Sequence, residues 1–126
     1  MTKREYKHHR KRCRRFFEPW ITSLGLRWWS VEIVFYRKSR DFRKANGASR
    51  TAAMKVFPKW QYLQAFIAVN VPAISRMDDT ELERAVVHEL CHILVNEMHG
   101  ANQDHEERTV TTLADAFIWT RNRAAG

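Results

Sequence analysis

The chain has 126 residues, 44% of them apolar and 29% charged, with a formal net charge of +8. That length supports one buried core and not two, so residues 1–126 are expected to form a single domain. No run approaches the ~18 apolar residues of a membrane span, and no apolar stretch follows the basic N-terminus as a secretory signal requires. The two cysteines, Cys13 and Cys91, suggest no disulfide framework, and a cytoplasmic protein without a membrane partner is the expectation.

Charge is spread unevenly. Residues 1–60 carry 17 Lys and Arg against 4 Asp and Glu, a balance of +13, whereas residues 61–126 carry 5 against 10, a balance of −5. Eight of the basic residues lie between Lys3 and Arg15, making 1–15 a basic N-terminal segment. Tyr6, Arg10, Cys13, Phe17, Trp20 and Leu24 keep a helical spacing through it, which predicts a helix with a docked apolar face and a solvated basic one. The same charge also suits an anionic partner, nucleic acid in particular. No aromatic interrupts the run between Tyr6 and Phe16, which argues against a stacking platform for single strands.

Pro19 is expected to kink this helix or begin a second, and Gly25 to end it. Residues 27–37 alternate as a strand, with Val31, Ile33 and Phe35 on one face and Glu32, Val34 and Tyr36 on the other. Trp28 and Trp29 open it as core or hinge. Residues 39–50 are basic, contain Asn46-Gly47 and lack apolar periodicity, which predicts a long turn or loop. Residues 51–57 and 61–71 read as two further strands, with Pro58-Lys59 as the turn between them and Pro72 as the stop.

Asp78 to Glu83 then supply a helix start, with Thr80 and Glu83 spaced as a capping box. Leu82, Val86, Leu90, Ile93 and Leu94 recur at helical spacing toward Met98, and Gly100 is a plausible stop. Inside this helix stands His88-Glu89-Leu90-Cys91-His92, an H-E-x-x-H sequence. Side chains four apart stack on one helix face, so both imidazoles can reach one Zn²⁺. Glu89, one residue along, is placed to take a proton from a water on that metal. Cys91 points away from the histidines, where a buried thiol behaves as a small hydrophobe.

A catalytic zinc takes three protein ligands, and the next segment offers His105, Glu106 and Glu107. These open a second helix whose apolar stripe is Val110, Leu113, Ala114 and Phe117. Glu106 lies slightly closer to the stripe's centre. Glu107 lies above Thr111 and Ala114, whose smaller side chains permit a close helix approach; the position two turns beyond Glu106 is the larger Leu113. Glu107 is therefore preferred, with Glu106 second and His105 a further alternative. The whole order, one helix, three strands, a metal helix and a ligand helix, predicts an α+β fold with a small, mostly antiparallel three-stranded sheet.

H-E-L-C-H on one helix, followed by E-E-x-x-V-x-x-L-A on the next, resembles the gluzincin branch of the zincin metallopeptidases, and among them the small stand-alone forms of phages and bacteria. The resemblance covers Leu82 to Phe117. It implies a zincin-like fold, His88, His92 and Glu107 as zinc ligands, Glu89 as catalytic base, and an edge strand that binds a peptide in extended form. Where larger gluzincins often carry an aspartate that orients a histidine, this chain has Thr111, leaving Thr111, Asp115 or Asn96 for that role.

The expected activity is therefore zinc-dependent hydrolysis of peptide bonds in a peptide or protein substrate, by Glu-assisted attack of a zinc-bound water. His99, His105 and Tyr62 are candidates to stabilise the oxyanion. The rival expectations are a zinc-containing module that binds nucleic acid, a protease recruited to nucleic acid through its basic half, and an inactive zincin fold kept for interaction. Glu89 weighs against a purely structural zinc, which needs no base beside it.

Overall fold

A computed structural model describes residues 1–96 and 103–125. Helix α1 (Lys3–Ser23) leads into strand β1 (Ser30–Tyr36), helix α2 (Ser39–Asn46), strand β2 (Met54–Lys59), a single 3₁₀ turn (Trp60–Tyr62) and strand β3 (Gln64–Asn70). The short helix α3 (Val71–Ile74), with Pro72 in its first turn, follows, then α4 (Asp79–Leu94) and α5 (Gln103–Ala125). Positions 98–100, expected to hold the end of the motif helix and its glycine stop, lie outside the described residues. α4 itself ends at Leu94, with Val95 as its cap.

The α+β class holds, but the sheet is mixed and not mostly antiparallel. Its order is β1-β3-β2. β3 runs parallel to β1, with Ser30 opposite Gln64 and Tyr36 opposite Asn70, and antiparallel to β2, with Met54 opposite Val69. Alternation in a sequence reports which face of a strand is buried, not its direction. Direction here comes from the connections. The long α2 segment carries the chain past one strand position, and the tight turn after β2 brings β3 back into the gap.

Residues 39–46, expected as loop, are helical because Phe42 is fully buried and meets the Tyr36 ring edge-on at 5.8 Å. A helix of two turns with one apolar anchor has no periodicity to read. It ends at Gly47, whose φ of 59° lies in the left-handed region that glycine adopts without cost. Pro58, expected in the turn, lies inside β2. β2 is an edge strand, where a missing N–H is tolerated; the turn falls at 60–63, with Leu63 at φ 50°. Pro19 does not break α1. Both Pro19 and Arg15, the residue whose carbonyl it leaves unbonded, are exposed, so water can take that bond. Trp29 packs against the core as expected, but Trp28 is 86% exposed.

One face of the sheet packs on the helices. Ile67, Val69 and Val56 join Cys13, Phe17 and Trp20 of α1, Leu82, Val86, Leu90 and Ile93 of α4, and Val110 and Ala114 of α5. Both cysteines are free and buried; burial pushes the Cys13 thiol up to about 12 and Cys91 to about 11. Polar contacts fasten α1 across α4. Arg12 Nε lies 2.6 Å from Asp79 Oδ1, and its other nitrogens donate to the carbonyls of Ile74 and Met77. Trp20 Nε1 donates to Glu83 Oε2 at 2.9 Å, and Arg121 of α5 donates to Glu83 Oε1 at 2.8 Å. Glu83 thereby joins three helices.

Candidate metal centre

α4 is capped two residues earlier than expected. Asp78, not Thr80, is the N-cap: its side chain accepts from Glu81 N at 2.8 Å while Glu81 reaches back to Asp78 N. Thr80 and Glu83 are too far along to cap, because Asp79 already has helical geometry. From that start the helix turns Leu82, Val86 and Leu90 into the core and leaves His88, Glu89 and His92 along its boundary. The two imidazole rings sit 5.2 Å apart, edge to face at 69°. His92 is buried and His88 partly exposed.

α5 brings up the carboxylates. Glu106, Val110 and Ala114 are spaced by four and all buried, forming the stripe that faces the protein interior. Glu107 is one residue around the helix and half-exposed. Its carboxylate spans both histidines, with Oε2 at 3.2 Å from His88 Nε2 and Oε1 at 3.0 Å from His92 Nε2. Glu106 lies behind His92 and accepts a hydrogen bond from Nδ1. One donor atom from each of His88, His92 and Glu107 falls within 4.8 Å of the others, a group that could hold a metal ion.

The donor set fits a cation on chemical grounds. With Nδ1–H of His92 given to Glu106, the neutral ring turns the lone pair of Nε2 toward Glu107. Two acceptors 3.0 Å apart need a proton or a metal ion between them. A tetrahedral ion with bonds of about 2.0–2.1 Å holds its ligand atoms about 3.3 Å apart, close to the separations seen. Burial, and then the neighbouring His92, lower the pKa of His88, favouring the neutral ring that ligates metals. Glu89 is pushed up to about 8 by burial and then by Glu107 and Glu106. Crowded carboxylates of this kind are relieved by positive charge.

Glu106, the second-choice ligand, thus contacts the far nitrogen of His92. This is the orienting role for which Thr111, Asp115 and Asn96 were the candidates. Thr111 is exposed, Asp115 pairs with Arg84 at 3.4 Å, and Asn96 donates to the Ile93 carbonyl at 2.8 Å. A signal was present in the sequence: a glutamate centred on an apolar stripe must find a partner when buried. His105 is outside the three-residue group and lines a separate groove with Arg108 and Thr112. Tyr62 is 72% exposed in the turn at the far end of β2. His99 lies outside the described residues.

Beside the histidines runs an open cleft of about 670 Å³. Its walls are α4, through Arg84, His88 and Glu89, and the segment entering β2, through Thr51, Ala53 and Met54. No spacing rule picks out these β2-side residues, because they reach the cleft only through the fold. No helix among the described residues is long and apolar enough to cross a membrane.

The family model described as "Putative phage metallopeptidase" matches residues 8–116, from the second turn of α1 through most of α5. No curated protein and no solved structure matches the chain. The match takes in both motif histidines, Glu89, and the two glutamates of α5. The chain belongs to this phage metallopeptidase family, whose name implies a metal ion and a peptide or protein substrate.

Proposed function

We propose that residues 1–126 form a single zincin-like domain of the gluzincin type, a zinc-dependent peptidase with His88, His92 and Glu107 as ligands and Glu89 as general base. The observation that carries this reading is the Glu107 carboxylate lying across the Nε2 atoms of both motif histidines, at 3.2 and 3.0 Å. Zinc held by His88, His92 and Glu107 would supply a Lewis acid for the peptide carbonyl and would acidify a bound water toward a pKa of ~7. Glu106 keeps His92 in the Nδ1–H tautomer, so that Nε2 remains available as a ligand. Glu89, one residue along the helix from His88 and lining the same cleft, takes a proton from the attacking water and returns it to the leaving amine. The substrate lies along the open edge of β2, where an extended peptide can add to the sheet by main-chain hydrogen bonds.

The test separates metal binding from chemistry. Glu89→Gln should retain zinc, measured by elemental analysis, and lose peptide cleavage by about 10²–10⁴-fold. His92→Ala should lose both. Full cleavage by Glu89→Gln, or equal and negligible zinc in wild type and His92→Ala, would sink the proposal.

A further inference from the structure

The basic N-terminal segment takes no part in the metal centre, yet the fold gives it a definite shape. Lys3, Tyr6, Lys7, Arg10, Lys11 and Arg14 of α1, with Arg37 just beyond β1, line a groove of about 460 Å³. No carboxylate lines it. Along an α-helix, at 1.5 Å per residue, Lys3 to Arg14 extend over roughly 16 Å.

Two features show that the three arginines of the groove are held in place without being neutralised by a carboxylate. The guanidinium of Arg10 lies over the rings of Tyr6 and Phe35, at 5.2 and 5.5 Å, and that of Arg14 over Phe35 at 5.1 Å. Arg37 lies over Tyr6 at 6.0 Å and donates to the Met1 carbonyl. Ring faces position a cation but leave its charge intact. Arg10 Nε is in addition a buried donor without a hydrogen-bond partner. By contrast, Arg12, on the neighbouring face of α1, has its carboxylate in Asp79.

We propose that this groove is a sequence-independent site for the phosphate backbone of duplex nucleic acid. The lining side chains are nearly all pure donors, since Lys and Arg accept nothing and the Tyr6 hydroxyl is given to the Phe35 carbonyl at 3.2 Å. A phosphodiester strand, which presents acceptors along its length, matches that inventory. An acidic polypeptide brings amide N–H groups for which the groove has few acceptors. Both aromatic rings are covered by guanidinium groups, so they cannot stack on the bases of a single strand. The apolar face of α1, with Cys13, Phe17 and Trp20, is committed to the core and cannot enter a bilayer. The groove adjoins β1, while the candidate metal centre adjoins β2 at the opposite edge of the sheet. The two sites are therefore separable.

Lys7 and Lys11 are exposed and make no ion pair or ring contact among the described residues, so Lys7→Glu with Lys11→Glu should fold normally, as far-UV circular dichroism can verify. The probe is a short fluorescent DNA duplex of arbitrary sequence, titrated by anisotropy between about 50 and 200 mM salt. Wild type should bind with a steep salt dependence. The double variant should weaken at least about tenfold and reduce the log–log salt slope by about 2, one for each lost contact. Lys44→Glu with Arg50→Glu makes the same charge change outside the groove and should bind within about threefold of wild type. Absence of binding at low salt, equal loss in both double variants, or stronger competition by poly-glutamate or anionic vesicles than by unlabelled duplex would overturn the proposal. None of these outcomes depends on peptidase activity.

Discussion

Two adjacent glutamates on α5 meet opposite sides of His92 at the candidate metal centre, and a rotation of one residue decides which nitrogen each reaches. Glu106, on the buried stripe with Val110 and Ala114, reaches the Nδ1 side of His92; Glu107, 100° further round, reaches the Nε2 atoms. On the proposed function the two should fail differently. Glu107→Ala should abolish stoichiometric zinc binding. Glu106→Gln should keep the stoichiometry and weaken zinc affinity by about 10–100-fold, as removal of a carboxylate behind a histidine ligand does. A chelator competition titration distinguishes the two, and similar loss in both would contradict the division. The ligand candidates were legible in the residues because i, i+4 spacing on a helix fixes which side chains share a face. The role of Glu106 was not, because it depends on the distance and rotation of a second helix.

At the scale of elements, helix ends and helix–helix ties decide how firmly α4 presents its histidines. Asp78 is the observed cap, so Asp78→Ala should cost about 0.5–2 kcal/mol, whereas Thr80→Ala should cost far less; denaturant unfolding of both variants checks this. Glu83 accepts from Trp20 on α1 and Arg121 on α5. The hydrogen bond from Arg121 chiefly, against the opposing effect of burial, and then that from Trp20, hold its pKa below the usual value. A lowered carboxylate pKa stabilises the fold above the unfolded value of about 4.5, and that contribution disappears as pH falls through the folded one. Glu83→Gln should therefore lower stability by about 1–2 kcal/mol at pH 7. The gap from wild type should narrow as pH falls through the folded pKa, below which the native glutamate is protonated too. A gap that persists unchanged into acid would show that the charge is not responsible.

For the molecule as a whole, the candidate metal group joins α4 to α5, two helices adjacent in the fold. A ligand that binds only the folded state stabilises it by about 2.7 kcal/mol at a hundred times its Kd. Zinc in that excess should raise Tm by about 10 °C over the chelated protein, and the shift should vanish in His92→Ala. The sequence alone determined the helical frame of the motif, the polar and apolar faces of the strands, the excess of positive charge in the first half, and the small set from which ligands could come. Those are local properties, set by side-chain periodicity along one element. Only the tertiary structure decided the direction of β3, the helix at 39–46 and the placing of Glu106 behind His92. It also decided that Arg10, Arg14 and Arg37 gather over Tyr6 and Phe35 at the opposite edge of the sheet from the histidines. Each of these depends on contacts between residues distant in the chain, and no spacing within a single element carries that information.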